Sequence, residues 1–498
     1  MKNIIALFLT VCIFSACKKD FLKEEPKGQL LPEGFFKTNA SLELAVTGMY
    51  STFNLAYNID EFDAPLMGAD DVTTRATNKE TYRAFDLFAA DNTNERMTDT
   101  WKNHYALISA TNFVINGYSE AIEATQKERD LAAGQAYFSR AYAYFYLVRV
   151  WNRIPLILTN KPDYTVIKSE PQKVYDLIIS DLTKAENLLP NNWNEVPFKI
   201  GIAPTTGSAK ALLASVYLNM AGYPLKDISK YALAATKAKE VIDNSEVYGY
   251  RLLTDFDELW RDKKFNSEIV FGLIYNNTSS ANVFADLNVR APFPTQPEEE
   301  GGWDDYFAEI NFFNNFPAGP RKDATFQTVI RKSAISTISW QQGVQKHPYY
   351  KKMRAANGEG NLTTPWEFVN WMSSRTNMLI RYAEVKLIYA EAQAMASGVD
   401  ASTYKEVNDV RIRAGLTVLP QGLSQTAFRD SVVQERAWEF AGNEMCSRWY
   451  DLVRLERVEQ ANANRHPDEM PLTNQPTKSR YFAPIPAIEL QLNPNLAN

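Results

Sequence analysis

From Leu131 to Arg149 the chain reads LAAGQAYFSRAYAYFYLVR, with Ala and Gly set among Tyr and Phe nearly all round the helical wheel. A helix without a polar face must be surrounded by other elements, and its small residues let neighbouring helices approach closely. This segment therefore demands a helical body large enough to enclose it. Trp151, Asn152 and Pro155 mark its end.

Two further stretches predict helices in pairs. Thr206 to Ala221 (TGSAKALLASVYLNMA) is followed by a Gly-Tyr-Pro break at Gly222 to Pro224 and then by Ile228 to Ile242 (ISKYALAATKAKEVI). Arg381 to Ala396 (RYAEVKLIYAEAQAMA), a Ser397-Gly398 turn and Thr403 to Ala414 (TYKEVNDVRIRA) repeat the arrangement. Units of about 34 residues with Ala and Tyr at the packing positions resemble tetratricopeptide repeats. Their irregular spacing argues against an uninterrupted superhelix. The expected fold class is mainly all-α, built from tetratricopeptide-like helix pairs around a large loop-rich insertion.

That insertion runs from about Asn276 to Asn377. Pro recurs through it, and it holds Trp303, Trp340, Trp366 and Trp371, four of the ten Trp in the chain. Long segments without regular structure inside a compact domain are usually functional. Here Tyr306, Phe312, Phe313, Tyr349 and Tyr350 accompany the Trp, beside Asp304, Asp305, Glu309, Asn311 and Gln341. Flat aromatic faces next to amides and carboxylates suit sugars, whose C–H groups lie on a ring while the hydroxyls take polar partners. The candidate ligand residues are Trp303, Asp304, Tyr306, Trp340, Tyr349 and Trp366, with Asp71 from the loop-like Asp70-Asp71 stretch. A satellite core beneath the loops is the alternative for any single ring, so the argument rests on the cluster.

At the N-terminus, Lys2 precedes an apolar run from Ile4 to Phe14, the length of a signal-peptide core and too short to span a bilayer. It ends in Phe14-Ser15-Ala16-Cys17, which resembles a bacterial lipobox, in which the cysteine is acylated and becomes the mature N-terminus. Ordinary secretory cleavage beside an incidental cysteine is the alternative. Residues 1–17 are thus expected to be a leader with Cys17 as the lipidation site, 18–30 a charged tether, and 31–498 one domain. Its scaffold would be 31–275 and 378–498, and its ligand face 276–377. Two or three acyl chains anchor a protein stably to a membrane that it does not cross.

Composition removes other classes. With 53 Lys and Arg against 59 Asp and Glu, the net charge of −6 gives no basic footprint for a nucleic acid. The three Cys (Cys12, Cys17, Cys446) and three His (His104, His347, His466) are scattered, so neither a disulfide framework nor a Cys/His metal site is expected. There is no GxSxG, P-loop, GxGxxG or EF-hand pattern, and no cofactor is implied. Glu435 and Glu439 lie four apart on one helix face; an ion-paired network with Arg436 and Arg448 accounts for them better than acid/base catalysis.

Several blocks fall in a distinctive order: CKKDFL after the lipobox, PEGFFKTNASLELAVTGMYSTF (Pro32 to Phe53), the Ala136 to Leu156 run, VNDVRIRAGL (Val407 to Leu416), ERAWEF (Glu435 to Phe440), RWYDLVR (Arg448 to Arg454) and IPAIELQLNPNL (Ile485 to Leu496). Together they resemble the SusD/RagB family of Bacteroidota, from leader to C-terminus. The resemblance implies a surface-exposed outer-membrane lipoprotein, held by its lipid anchor, that is not an enzyme. It would capture a nutrient, usually an oligosaccharide, and deliver it to a partner SusC-like TonB-dependent transporter. A surface glycoside hydrolase using carboxylates such as Asp304 or Glu309, and a helical-repeat adaptor for proteins or peptides, remain the alternatives at this stage.

Overall fold

A computed structural model describes residues 32–57, 64–75, 79–260, 266–274, 296–333, 335–353, 376–442, 444 and 447–497. The leader, the tether, Cys17, Trp366, Trp371 and Cys446 lie outside the described residues.

Among the described residues, ten helices of eight or more residues make up the body. They are α1 (Asn39–Tyr57), α2 (Glu95–Gly117), α3 (Gln126–Trp151), α4 (Pro171–Leu188), α5 (Thr206–Met220), α6 (Lys230–Asp243), α7 (Tyr382–Ser397), α8 (Ala401–Arg413), α9 (Gln425–Glu439) and α10 (Ser447–Arg454). Their starts carry local chemistry. The Thr125 hydroxyl accepts from Glu128 N at 3.2 Å while Glu128 Oε2 accepts from Thr125 N at 2.7 Å, a reciprocal cap worth about 1 kcal/mol. Asp400 and Thr403 make the same reciprocal cap on α8, Asn94 caps α2 in the simpler way, and Pro171 opens α4 where no amide hydrogen is needed.

The helix read as surrounded is surrounded: every residue of α3 from Ala132 to Val148 is buried. Helices α2 and α4 flank it, α5 packs on α4, α6 on α5, and α7 on α6, with α8 and α9 against α7. The Gly222 break serves this packing. A Cβ there would lie 2.6 Å from the Arg454 carbonyl oxygen, and the Tyr223 amide donates to that same oxygen at 2.8 Å. Only glycine lets the turn after α5 dock on the end of α10.

The chain leaves the helical stack after α6 and returns to it at α7. Strand β2 (Ile269–Leu273) pairs antiparallel with β8 (Asn377–Arg381), closing the neck of the excursion. Within it the described residues carry more order than the sequence suggests. Strands β3 (Phe307–Ala308), β4 (Phe326–Gln327), β5 (Val329–Ser333), β6 (Ser336–Ser339) and β7 (Tyr349–Tyr350) form short antiparallel pairs, β4 with β7 and β5 with β6, while β3 takes β1 (Val72–Thr73) from the scaffold.

At the neck, Arg381 ends β8 instead of opening a helix, and its fully buried guanidinium meets Glu268 at 2.8 Å, Glu439 at 2.7 Å and Glu444. Glu439 also takes Arg321 and Arg413, and Glu435 takes Arg321 and Arg411. Burial alone would raise the Glu439 carboxyl, but Arg413, Arg381 and Arg321 together hold it far below the ordinary range. The expected ion-paired network exists, with different partners: Arg436 pairs with Asp451 and Arg448 with Asp70.

Candidate functional site

The loop from Gln296 to Asp304 closes on itself by close backbone contact. Gly302 lies so near the Gln296 carbonyl that a Cβ would sit 2.1 Å from that oxygen, and the Asp304 amide donates to it at 3.2 Å. Gly301 (φ +81°) and Asp304 (φ +53°) occupy the left-handed region, which Gly adopts freely and Asp tolerates. The result is a tight turn with Trp303 at its outer edge, its indole half-buried. Lys79 Nζ stands 4.3 Å from the centre of the indole and bonds Asp305 Oδ2 at 3.0 Å, so the ammonium ties the ring to the turn.

Asp304 points inward and organises this turn. It accepts from the Tyr349 hydroxyl at 2.7 Å, Gln345 Nε2 at 3.1 Å and Glu298 N at 3.1 Å. Burial pushes its carboxyl up to about 6 against the lowering effect of those donors. Behind it, His347 Nδ1 lies 2.7 Å from the Gln345 carbonyl and Nε2 lies 3.0 Å from Glu469 Oε1. Burial raises the Glu469 carboxyl, but His347, Thr73 and the Ile310 amide outweigh it and hold the group below its ordinary value.

The expected platform residues separate into two groups. Trp303 and Trp340 are half-buried and present part of their rings to solvent, Trp340 meeting Phe313 edge-on at 5.8 Å. Tyr306 and Tyr349 do not: each is 1% exposed, Tyr306 lying 6.0 Å from Tyr82 and Tyr349 crossing Phe307 at 5.8 Å. They form the satellite core beneath the loops. Asp304 is 2% exposed and fully engaged in the turn, and Asp71 is 0% exposed, with Oδ2 accepting from Gly442 N at 2.9 Å. These two carboxylates hold backbone in place in this conformation and offer no oxygen to a surface ligand. Lys79 and Gln345 were missed by the sequence reading. Each meets its partner across more than forty positions, so no local spacing announces it.

A helical scaffold that carries a loop-built face, with an indole propped at its edge by a buried polar network, defines a binding protein. The chain belongs to the SusD family: residues 20–218 match the family described as starch-binding and associating with the outer membrane, and residues 261–498 match the SusD family proper. SusD-like protein P2 of Formosa agariphila is 28% identical over 504 residues, covering 95% of this chain and 95% of that one. A SusD homolog from Bacteroides thetaiotaomicron superposes with a TM-score of 0.77 at 22% identity, covering 93% of this chain and 97% of the other. Surface glycan-binding protein A from Bacteroides thetaiotaomicron, solved in complex with laminarihexaose, gives 0.75 at 19% identity, covering 91% and 98%. Members of this family are non-catalytic binding proteins, so the chain is not an enzyme and the hydrolase alternative is set aside.

Proposed function

We propose that this protein captures an oligosaccharide at the cell surface, on the loop-built face around Trp303 and Trp340, and delivers it to a SusC-like TonB-dependent outer-membrane transporter. The observation that carries the reading is the half-exposed Trp303 indole, held by Lys79 and Asp305 at the rim of a turn organised by the buried, hydrogen-bonded Asp304 carboxylate. A ring fixed in this way loses little freedom when a sugar stacks on it, so more of the contact energy appears as affinity. Family membership supports the carbohydrate class, and the complex of the related surface glycan-binding protein with laminarihexaose supports a chain of several sugars as ligand. Trp366 joins the proposed face on its sequence alone. The lipobox at Cys17 supports attachment to the outer membrane by acyl chains. No helix among the described residues is long and apolar enough to cross a membrane.

A glycan array followed by titration tests this. Binding to at least one oligosaccharide is expected, with affinity falling about tenfold or more in Trp303→Ala, the loss of one stacked ring. An array without any binder, or affinity unchanged in both Trp303→Ala and Trp340→Ala, would overturn it. Co-purification of a TonB-dependent barrel with the native lipoprotein tests the delivery step, and purification without such a barrel counts against that step alone.

A further inference from the structure

A concavity of about 200 Å³ opens between Asp70, the short helix Ile310–Asn315, the exposed side of α9 and the segment near Asn464. That is the space of about seven waters, enough for one pyranose ring. Its walls have a definite chemistry. Trp438, half-buried, leans one edge on Phe316 at 6.4 Å and turns the rest of its indole to the pocket.

Polar capacity around that ring is left unspent. Among the described residues, the carboxamides of Gln434 and Asn315 and the indole N–H of Trp438 make no hydrogen bond, and Asn311 donates to the Asn464 carbonyl at 2.9 Å, leaving its own oxygen open. Arg448 spends Nε and Nη2 on Asp70 at 2.5 and 2.6 Å and keeps Nη1. The lining therefore offers donors and acceptors in similar number. Its charges are already matched, Arg448 with Asp70 and Arg465 with Asp86, so nothing favours an ionic ligand. Glu309 beside them binds the Phe312 and His466 amides, and burial pushes it up to about 7, which weakens its negative charge further.

We propose that this pocket is a second binding site, taking a single neutral pyranose ring with its C–H face on Trp438 and its hydroxyls on Gln434, Asn315, Asn311 and Arg448. Neutral hydroxyls are both donors and acceptors, the one common ligand chemistry that uses every unspent group here. The inference stands independently of whether the Trp303 face binds a glycan.

Saturation-transfer NMR of the protein with the methyl glycosides of glucose, galactose, mannose, xylose, fucose and N-acetylglucosamine decides it. At least one of the six should receive saturation, with Kd raised about tenfold in Gln434→Ala through the loss of its hydrogen bonds, and unchanged in Trp303→Ala. Asn315→Ala, at an exposed position, keeps the test open if Gln434→Ala disturbs α9. Silence from all six sugars, transfer that survives the Asn315→Ala/Gln434→Ala double variant, or transfer lost in Trp303→Ala would overturn the assignment.

Discussion

The helical scaffold and the loop-built insertion are both well buried, yet they are held together by different chemistry. In α3 the seventeen consecutive buried residues from Ala132 to Val148 include only Gln135, Ser139 and Arg140 as polar side chains outside the tyrosines. Arg140 is paired with Asp181 at 2.7 and 2.8 Å, and Gln135 and Ser139 bond carbonyls one turn back. In the insertion, Glu300, Asp304, Asp305, Glu309, Gln327, Gln345 and His347 are all buried within some fifty residues. Apolar packing is non-directional and tolerates a shift, whereas a buried hydrogen-bonded carboxylate specifies one geometry and is costly to disturb. A body made of the first kind can carry the second kind as a shaped face, and the two meet at the neck, where Arg381 of the scaffold and Arg321 of the insertion share Glu439.

The comparison breaks first at that neck. Arg381→Ala leaves Glu268, Glu439 and Glu444 buried with reduced compensation, and removal of one partner from such a network costs about 3–5 kcal/mol. Urea denaturation should show a lower midpoint for the whole molecule. A midpoint within error of wild type would mean that the neck does not couple the two regions.

Next in size is a pH effect confined to the scaffold. His104 Nδ1 donates to the Thr100 carbonyl at 2.7 Å, Nε2 accepts from the Tyr57 hydroxyl at 3.0 Å, and the ring stacks on Tyr146 at 4.1 Å, so the neutral imidazole is fully satisfied. Burial lowers its pKa from 6.5 to about 3, against a smaller opposing effect of the Thr100 carbonyl. Between those values the unfolded chain binds a proton that the folded chain refuses, so stability rises with pH and is lost as pH falls below about 6.5. The loss amounts to about 1.4 kcal/mol per pH unit. His104→Gln should flatten that limb of the stability curve between pH 6 and 4; an unchanged slope assigns the acid sensitivity to other groups.

These particulars show what could be read beforehand. The burial of α3 and the paired helices follow from residues within a few turns of one another, so periodicity exposes them. The Glu435 and Glu439 pairing was legible as chemistry and misassigned in its partners. Sequence reach pointed to Arg436 and Arg448, whereas folding brings Arg321, Arg411, Arg381 and Arg413, because ion pairs between distant segments are formed only by tertiary packing. Aromatic content marked the insertion, but a tyrosine in a two-residue strand carries no periodicity to say which way it points. Tyr349 and Tyr350 are both buried, and Trp303 and Trp340 alone of the described candidates keep a solvent-facing edge.

Within the insertion the effects should be smaller and local. Tyr349→Phe removes one donor from Asp304 while preserving the ring, at a cost of about 1–2 kcal/mol for the buried acceptor left short. Amide exchange should quicken in residues 296–304 and stay unchanged in α3. Equal acceleration in both places would show that the insertion has no independent opening, and the contrast between polar face and apolar body would lose its energetic meaning.

The smallest effect is expected at Lys79, where the two chemistries touch the solvent. Lys79→Met keeps the aliphatic reach across Trp303 but removes the charge that bonds Asp305, and a partly exposed cation over a ring contributes about 0.5–1 kcal/mol. Global stability should fall by no more than that in urea titration, because neither the helical stack nor the neck uses this contact. The indole should nevertheless gain freedom, read as faster local depolarisation in a variant whose other tryptophans are accounted for by a matched Trp303→Phe difference spectrum. If the ring is as rigid without the ammonium as with it, the Gly301–Gly302 turn alone fixes Trp303, and the polar interior beneath it is sufficient to shape the face.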